Sequence, residues 1–293
     1  MELSNLKRKD MMAEMEVLHP GLFSSIQDLG RFGFMEYGVP VSGAMDSNAF
    51  RVANLLLKNP KDAAVLEITQ MGPRLSFSEE TQIAVTGAHL SPAINGQPIE
   101  NNKAYTIFKD QILSFRKRIY GCRSYLAVKG GFRSEKVLNS RSWYDGLTGY
   151  LKIEKGMKIP YESGGDSFPD NYSGIKTPDY INSKFVEAFQ GPEFENLSEA
   201  QRRRLFNDEF SLDQNNNRMG IQFGEILENS LEPILTGPVL PGTVQLTPSG
   251  KLIALMRDGQ TTGGYPRILQ LSENGLNTLA QKVTGEKIRF DLL

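Results

Sequence analysis

The sequence predicts a mainly β fold with a few short helices, arranged as two β-rich modules. Three observations carry that prediction. Short apolar runs rich in Val, Ile, Thr and Phe recur along the chain, punctuated by 28 glycines and 15 prolines, as in a strand-and-turn protein. Helical periodicity or capping is confined to three short stretches. The third observation is an internal echo: a strand ending in Gly-Pro occurs at Gly72-Pro73 and again at Gly191-Pro192. Each half also sends a strand into a glycine-rich polar loop, at Thr86–His89 and at Asp258–Gly264. The expected organisation is a disordered tail over 1–14, a first module over 15–165, a linker over 166–182 rich in Gly, Ser, Asp and Pro, and a second module over 183–293. The pattern leaves room for strands exchanged between modules.

In chain order, Glu16–Leu18 opens the fold as a strand, and Ser24–Phe34 reads as a loop or bulged strand with Gly30 and Gly33. Asp46 or Ser47 caps a helix over Asn48–Leu57, whose Phe50, Ala53, Asn54 and Leu57 share one face. Strands follow at Ala64–Thr69, Arg74–Phe77 and Gln82–Thr86, then a hairpin at Ile94–Pro98 with the Asn-Gly signal of a type I′ turn. Tyr105–Phe108, Ile112–Phe115 and Arg123–Val128 continue the sheet. In the second half, Lys184–Phe189 is a strand and Ser198 caps a helix within Leu197–Asn207. Phe210–Leu212, Met219–Phe223, a hairpin turning at Thr247–Lys251, Ile268–Leu271, a helix over Asn274–Val283 and a last strand Lys287–Phe290 complete the pattern.

Composition excludes several classes. Apolar content of 39% and charged content of 23% over 293 residues are those of a soluble globular protein. A net charge of −1 gives no global field toward nucleic acid or membrane, and no apolar run reaches the roughly 18 residues needed to span a bilayer. The single cysteine, Cys122, rules out an intramolecular disulfide and fits a reducing, cytoplasmic compartment. Met1–Met15 is charged and Met-rich and is not a secretory signal; Met12 and Met15 are rival starts. His19 and His89 lie in unrelated contexts, so neither a zinc site nor a Ser-His-Asp triad is expected. No Walker A motif occurs, and Met157-Lys158 lacks the surroundings of a biotin carrier.

The stretch that concentrates chemistry is Leu252–Met256 followed by Arg257, Asp258, Gln260, Thr261, Thr262, Gly263 and Gly264. A buried strand ending in a carboxylate, an amide, two hydroxyls and two glycines suits a polar ligand. Asp258 is the candidate acid–base or anchoring carboxylate, set against a turn Asp that bonds its own backbone. Gln260, Thr261 and Thr262 suit a neutral amide or lactam, which an amide side chain can pair in both directions. Asp28 and Arg31 read equally as ligand groups or a structural ion pair, and Asp46 as a ligand group or a helix cap. Arg218 offers a guanidinium for a carboxylate or phosphate, or is an exposed turn charge.

Four motifs together, Gln27–Arg31, Gly38–Asp46, Asn217–Gly220 and Gln260–Pro266, resemble the allophanate hydrolase subunit 2 family, also called the KipA-like or biotin-dependent carboxyltransferase-like family. The resemblance runs from about Glu16 to Phe290. It implies two modules similar to the cyclophilin β-barrel, a KipI-like subunit 1 as partner and a third LamB/YcsF-like subunit. In bacteria the nearest role is the C subunit of an ATP-dependent 5-oxoprolinase, which opens the lactam 5-oxo-L-proline to L-glutamate, with ATP and Mg²⁺ used by the complex and no biotin attached to this chain. Relatives regulate a histidine kinase inhibitor or form part of urea carboxylase, so a KipA-like regulator and a carboxyltransferase component are the alternatives. The resemblance tips Asp258 toward a catalytic role, and beside it Gln260, Thr261, Thr262, Gln27, Asp28, Arg31, Asp46 and Arg218 are read as the substrate-binding walls of one site. One departure stands out: the family commonly has Ala before the final Asp, where this chain has Arg257.

Overall fold

Strict alternation of buried and exposed residues along Met12–His19 puts Ala13, Met15 and Val17 on a core and leaves Glu14 and Glu16 in solvent. A computed structural model describes residues 12–162 and 179–293 of the chain. The expected tail up to residue 11 and linker residues 166–178 lie outside the described residues. Met12–Glu14, expected as tail, are paired with the strand Lys158–Glu162, which the sequence did not announce. Beyond that strand the six-stranded sheet runs through Met12–His19, Arg74–Phe77, Ile112–Ser114, Ala93–Ile94 and Gln97–Pro98. Asn95 and Gly96, at φ 48° and 84°, make the turn that Asn-Gly predicts.

A five-stranded sheet faces it, ordered Phe23–Gln27, Val65–Thr69, Tyr120–Val128, Thr81–His89, Ala104–Ile107. The segment expected as a loop or bulge is thus a regular strand over Phe23–Gln27. Four of these strands are buried on both faces over most of their length. Leu66, Ile68, Leu126 and Val128 enter the core between the sheets. Helix α1 (Ser47–Leu56) covers the other face, packing Ala49, Phe50 and Ala53 on Val65, Tyr125 and Ala127. Single bridges from Phe132 to Ala64 and to Tyr161 link the two sheets into a barrel-like module.

The second module is one seven-stranded sheet ordered Phe210–Ser211, Lys287–Leu292, Phe185–Gln190, Arg267–Leu271, Thr243–Leu246, Lys251–Leu255, Gly220–Ile226. A bridge between Leu212 and Phe223 brings its two ends together, nearly closing a barrel. Phe210, Phe223 and Phe290 fill it, their ring centroids 5.5 to 6.2 Å apart. Each buried aromatic of this kind contributes roughly 1.5–3 kcal/mol by leaving water. Helix α2 (Glu199–Asn207) starts with a capping box between Ser198 and Gln201, and helix α3 (Glu273–Ala280) is capped by Ser272.

Among the described residues, strand pairing stays within each module. The cores do not stay separate. Met45, from the turn before α1, is fully buried in the core of the second module. Gln281, just past α3, accepts hydrogen bonds from the backbone N–H groups of Cys122 and Arg123 at 3.0 Å and donates to the Arg123 carbonyl at 2.9 Å. Its amide also reaches Asp46 at 2.6 Å. Buried polar groups therefore stitch the modules together, and they set the geometry of everything at the junction.

Candidate functional site

Two antiparallel strands of the first module each carry one charged residue in an apolar run: Glu67 in Val65–Thr69 and Arg123 in Tyr120–Val128. From the second module, pairing of Gly220–Ile226 with Lys251–Leu255 continues beyond the strand ends. Met256 N–H donates to Met219 O and Asp258 N–H to Arg218 O, both at 2.9 Å. That ladder sets the Arg218 and Asp258 side chains beside each other, facing the first module.

Arg218 is buried and every one of its guanidinium nitrogens is engaged. Nε donates to Asp258 Oδ2 at 2.7 Å and Nη2 to Asp258 Oδ1 at 3.1 Å, the two-pronged geometry that suits a carboxylate. Nη1 donates to Glu67 Oε1 at 2.5 Å, and Nη2 also reaches Gly43 O at 2.7 Å and Gln27 Oε1 at 3.3 Å. Burial pulls the guanidinium down in pKa, but Asp258 and Glu67 outweigh it and hold Arg218 above its ordinary value. The second oxygen of Glu67 accepts from Met45 N–H and Tyr125 O–H, at 2.8 and 2.9 Å. One cation thus serves two buried carboxylates, one from each module.

Above this knot lies a cavity of about 520 Å³ whose walls include Phe23, Gln70, Arg123, Tyr144, Arg218 and Asp258. Each carboxylate oxygen offers two acceptor positions, and Arg218 uses one on each oxygen of Asp258, so Asp258 retains capacity toward the cavity. Burial, with Asp258 adding to it, pushes the Tyr144 hydroxyl above its ordinary pKa, so it keeps its proton at neutral pH and can donate a hydrogen bond.

The structure gathers some of the expected residues and disperses others. Asp258, Arg218 and Gln27 meet directly. Gln27 lies beneath the knot, its amide also donating to Ser25 Oγ and Trp143 O. Asp28 is filled by four donors, the Oγ atoms of Ser140 and Ser142 and the backbone N–H groups of Gly30 and Arg141, at 2.6 to 2.8 Å. It therefore anchors a loop. Arg31 is 1% exposed and donates through Nη2 to Ser142 O, while its Nε and Nη1 have no partner among the described residues. Burial lowers its pKa against the pull of Asp28 and Asp258. Asp46 caps α1, accepting from Ala49 N–H at 3.0 Å, and also accepts from Tyr180 O–H at 2.6 Å. Burial raises its pKa, and the hydrogen bonds from Gln281 and Tyr180 oppose the rise.

Gln260, Thr261 and Thr262 are not among the residues lining this cavity. Thr262–Gly263 pairs with Gly237–Pro238, Thr261 O accepts from Val239 N–H, and the exposed Gln260 donates to Gln245 Oε1 at 3.5 Å. Arg257 points away from the cavity to Glu273 at the start of α3, at 2.5 Å, and Glu273 also accepts from Ser47 Oγ at 2.6 Å. His19 and His89 accept from backbone N–H groups two residues on. Among the described residues no cluster of His, Cys, Asp and Glu is arranged to hold a metal, and no helix is long and apolar enough to cross a membrane.

Sequence reasoning missed Glu67, Arg123 and Tyr144. For the first two the signal was present: a single charge inside Val65-Leu-Glu-Ile68 and inside Cys122-Arg-Ser-Tyr-Leu126. Charged residues enter a strand core only when something pairs with them. Nothing local marks Tyr144.

The carboxyltransferase domain family, subdomains A and B, matches residues 37–292. The C subunit of the 5-oxoprolinase of Escherichia coli (strain K12) is 32% identical over 283 residues, covering 94% of this chain and 90% of that protein. Among solved structures, TTHA0988 superposes with a TM-score of 0.85 at 26% identity, and the Kluyveromyces lactis urea amidolyase with 0.82 at 27%. Each covers 98% of this chain, which in turn spans 57% of the TTHA0988 chain and 19% of the amidolyase chain.

Proposed function

The chain belongs to the carboxyltransferase domain family, and on that premise we propose that it is the C subunit of an ATP-dependent 5-oxoprolinase, opening 5-oxo-L-proline to L-glutamate together with a KipI-like subunit 1 and a LamB/YcsF-like subunit. The observation that carries the reading is the cavity at the module junction, with Asp258 held in its wall by Arg218. Similarity to the Escherichia coli protein over nearly the full length of both chains supports it.

In this reading the chain binds and orients the lactam. Phe23 offers an apolar wall to the ring, Asp258 accepts a hydrogen bond from the lactam N–H, and the Tyr144 hydroxyl donates to the lactam oxygen. An unstrained lactam resists hydrolysis, and holding both polar atoms of its amide fixes it for activation. Among the described residues no helix N-terminus lines this cavity, so it lacks the usual cradle for the phosphates of ATP. Arg218, in the cavity wall, is already neutralised by Asp258 and Glu67, and the chain lacks a Walker A motif. The proposal therefore places ATP and its Mg²⁺ on a partner subunit and makes this chain inactive alone.

The test is reconstitution. The purified chain, mixed with the subunits encoded beside it, is supplied with 5-oxo-L-proline and ATP, and glutamate is followed. Glutamate that needs all components is the expected result; none from the complete set contradicts the proposal. A second reading, a carboxyltransferase component acting on a urea-type substrate, draws on the likeness to the urea amidolyase structure. It predicts carboxyl transfer from a biotin carrier and no glutamate. Capture of a KipI-like protein without turnover fits a KipA-like regulator instead.

A further inference from the structure

Arg123 forms part of the cavity wall and is 6% exposed. Its side-chain hydrogen bonds within the described residues both leave from Nη1, one to the Ala280 carbonyl and a long one of 3.7 Å to Cys122 Sγ. Nε is buried and has no hydrogen-bond partner among the described residues. The nearest carboxylate, Glu67, lies 3.9 Å from Nε, beyond hydrogen-bond reach, and gives its closest contact to Arg218 instead. Arg218, in the same wall, has every nitrogen engaged. Arg31, Arg133 and Arg257 also carry a buried nitrogen without a partner among the described residues, but of these arginines only Arg123 lines this cavity, where a partner can arrive from outside the chain.

We propose that Arg123 is the specificity-determining residue of this cavity and receives the carboxylate of the substrate, so that the site selects carboxylate-bearing lactams over neutral ones. The inference rests on the reading of the cavity as a lactam site. The free side of a guanidinium matches a carboxylate in shape and charge, which a neutral amide does not. Arg123 is also held ready before any ligand enters. Gln281 fixes its backbone on both the N–H and the carbonyl side, at 3.0 and 2.9 Å, and Ala280 O holds Nη1. The nearby carboxylates are already engaged or exposed. Glu67, 3.9 Å from Nε, is held by Arg218, Met45 N–H and Tyr125 O–H; Asp258 is paired on both oxygens by Arg218; and Asp145 is exposed.

Calorimetry on the full chain, with 5-oxo-L-proline and its carboxyl-free counterpart 2-pyrrolidone, tests the proposal. Wild type is expected to bind 5-oxo-L-proline about 30-fold more tightly. Arg123→Gln is expected to remove that preference and Arg123→Lys to keep part of it, with thermal unfolding checking that each variant is folded. In the reconstituted enzyme, Arg123→Gln raises KM for 5-oxo-L-proline about 30-fold and leaves kcat within about threefold, as loss of uniform binding does. Equal binding of the two ligands by wild type, or binding of neither, overturns the inference without recourse to a variant. Glutamate production and carboxylate preference fail separately. A chain that prefers 5-oxo-L-proline through Arg123 but yields no glutamate keeps this inference and loses the oxoprolinase reading. Glutamate with an unchanged KM in Arg123→Gln does the reverse.

Discussion

Asp258 and the residues that follow it up to Gly264 belong to one turn, yet the fold treats them as two regions. Asp258 turns inward, where Arg218 and Glu67 complete a knot that spans both modules. Gln260–Gly264 leaves the cavity, and its polar atoms meet Gly237, Pro238, Val239 and Gln245, with Thr261 buried and Gln260 and Thr262 exposed. In sequence the second region has more of the chemistry, with an amide, two hydroxyls and two glycines. In space the first has the cavity. Hydroxyls and amides are inexpensive to leave in a surface turn, whereas a buried charge persists only where the whole fold supplies partners for it. The region that took more of the fold to build is the better candidate for function.

The largest effect that separates the two regions is expected from Arg218→Leu. It leaves Asp258 and Glu67 buried without their cation and costs about 3–5 kcal/mol of stability, read by urea unfolding. A loss below about 1 kcal/mol, the scale of a surface pair, would make the knot an ordinary ion pair. Next is Asp258→Asn, which keeps the shape and one acceptor. Glutamate formation in the reconstituted enzyme should fall about 100-fold or more with the fold retained. Alanine at the same position is the less informative variant, because it also strands part of the Arg218 guanidinium.

Smaller effects sharpen the contrast. Arg257→Ala removes a contact with Glu273 at the junction but nothing from the cavity. A loss of about 0.5–1 kcal/mol in stability and no change in activity beyond about twofold is expected. A larger fall in activity would show that Arg257 reaches the ligand. Away from the junction, Glu193 is held below its ordinary pKa of 4.5 by hydrogen bonds from Arg267. A depressed carboxylate pKa stabilises the fold above the ordinary value, and that stability is lost as pH falls from there through the folded-state value. Glu193→Gln should therefore flatten the acid limb of a stability–pH profile below pH 4.5 by less than about 1 kcal/mol. An unchanged acid limb would show that the Arg267 contact does not persist in solution.

Much of this architecture was legible in the sequence because it is local. Ser198 with Gln201 specifies the start of α2, Asn95-Gly96 specifies a hairpin, and Phe50, Ala53 and Asn54 specify the buried face of α1. Asp46 was legible as a cap but not as the partner of Gln281 and Tyr180, more than a hundred residues away. Within the candidate site, the resemblance of whole motifs pointed to Asp258, Arg218 and Gln27, and these do meet. Glu67 and Arg123 were readable in principle, as lone charges in apolar strands. Tyr144 was not, since its place depends on how the loop after Phe132 folds over the junction. The strand Lys158–Glu162 was hidden for a similar reason: it exists by pairing with Met12–Glu16, at the far end of the module.

The most direct test of the central claim sets the two halves of the turn against each other in one assay. Glutamate formation from 5-oxo-L-proline and ATP is measured in the reconstituted enzyme with wild type, Asp258→Asn, and the pair Gln260→Ala and Thr262→Ala. The junction account predicts a loss of about 100-fold or more for Asp258→Asn and less than about twofold for either loop variant. A tenfold or greater loss in the loop variants, with Asp258→Asn near wild type, would move the site to the Gln260–Gly264 loop and contradict the account.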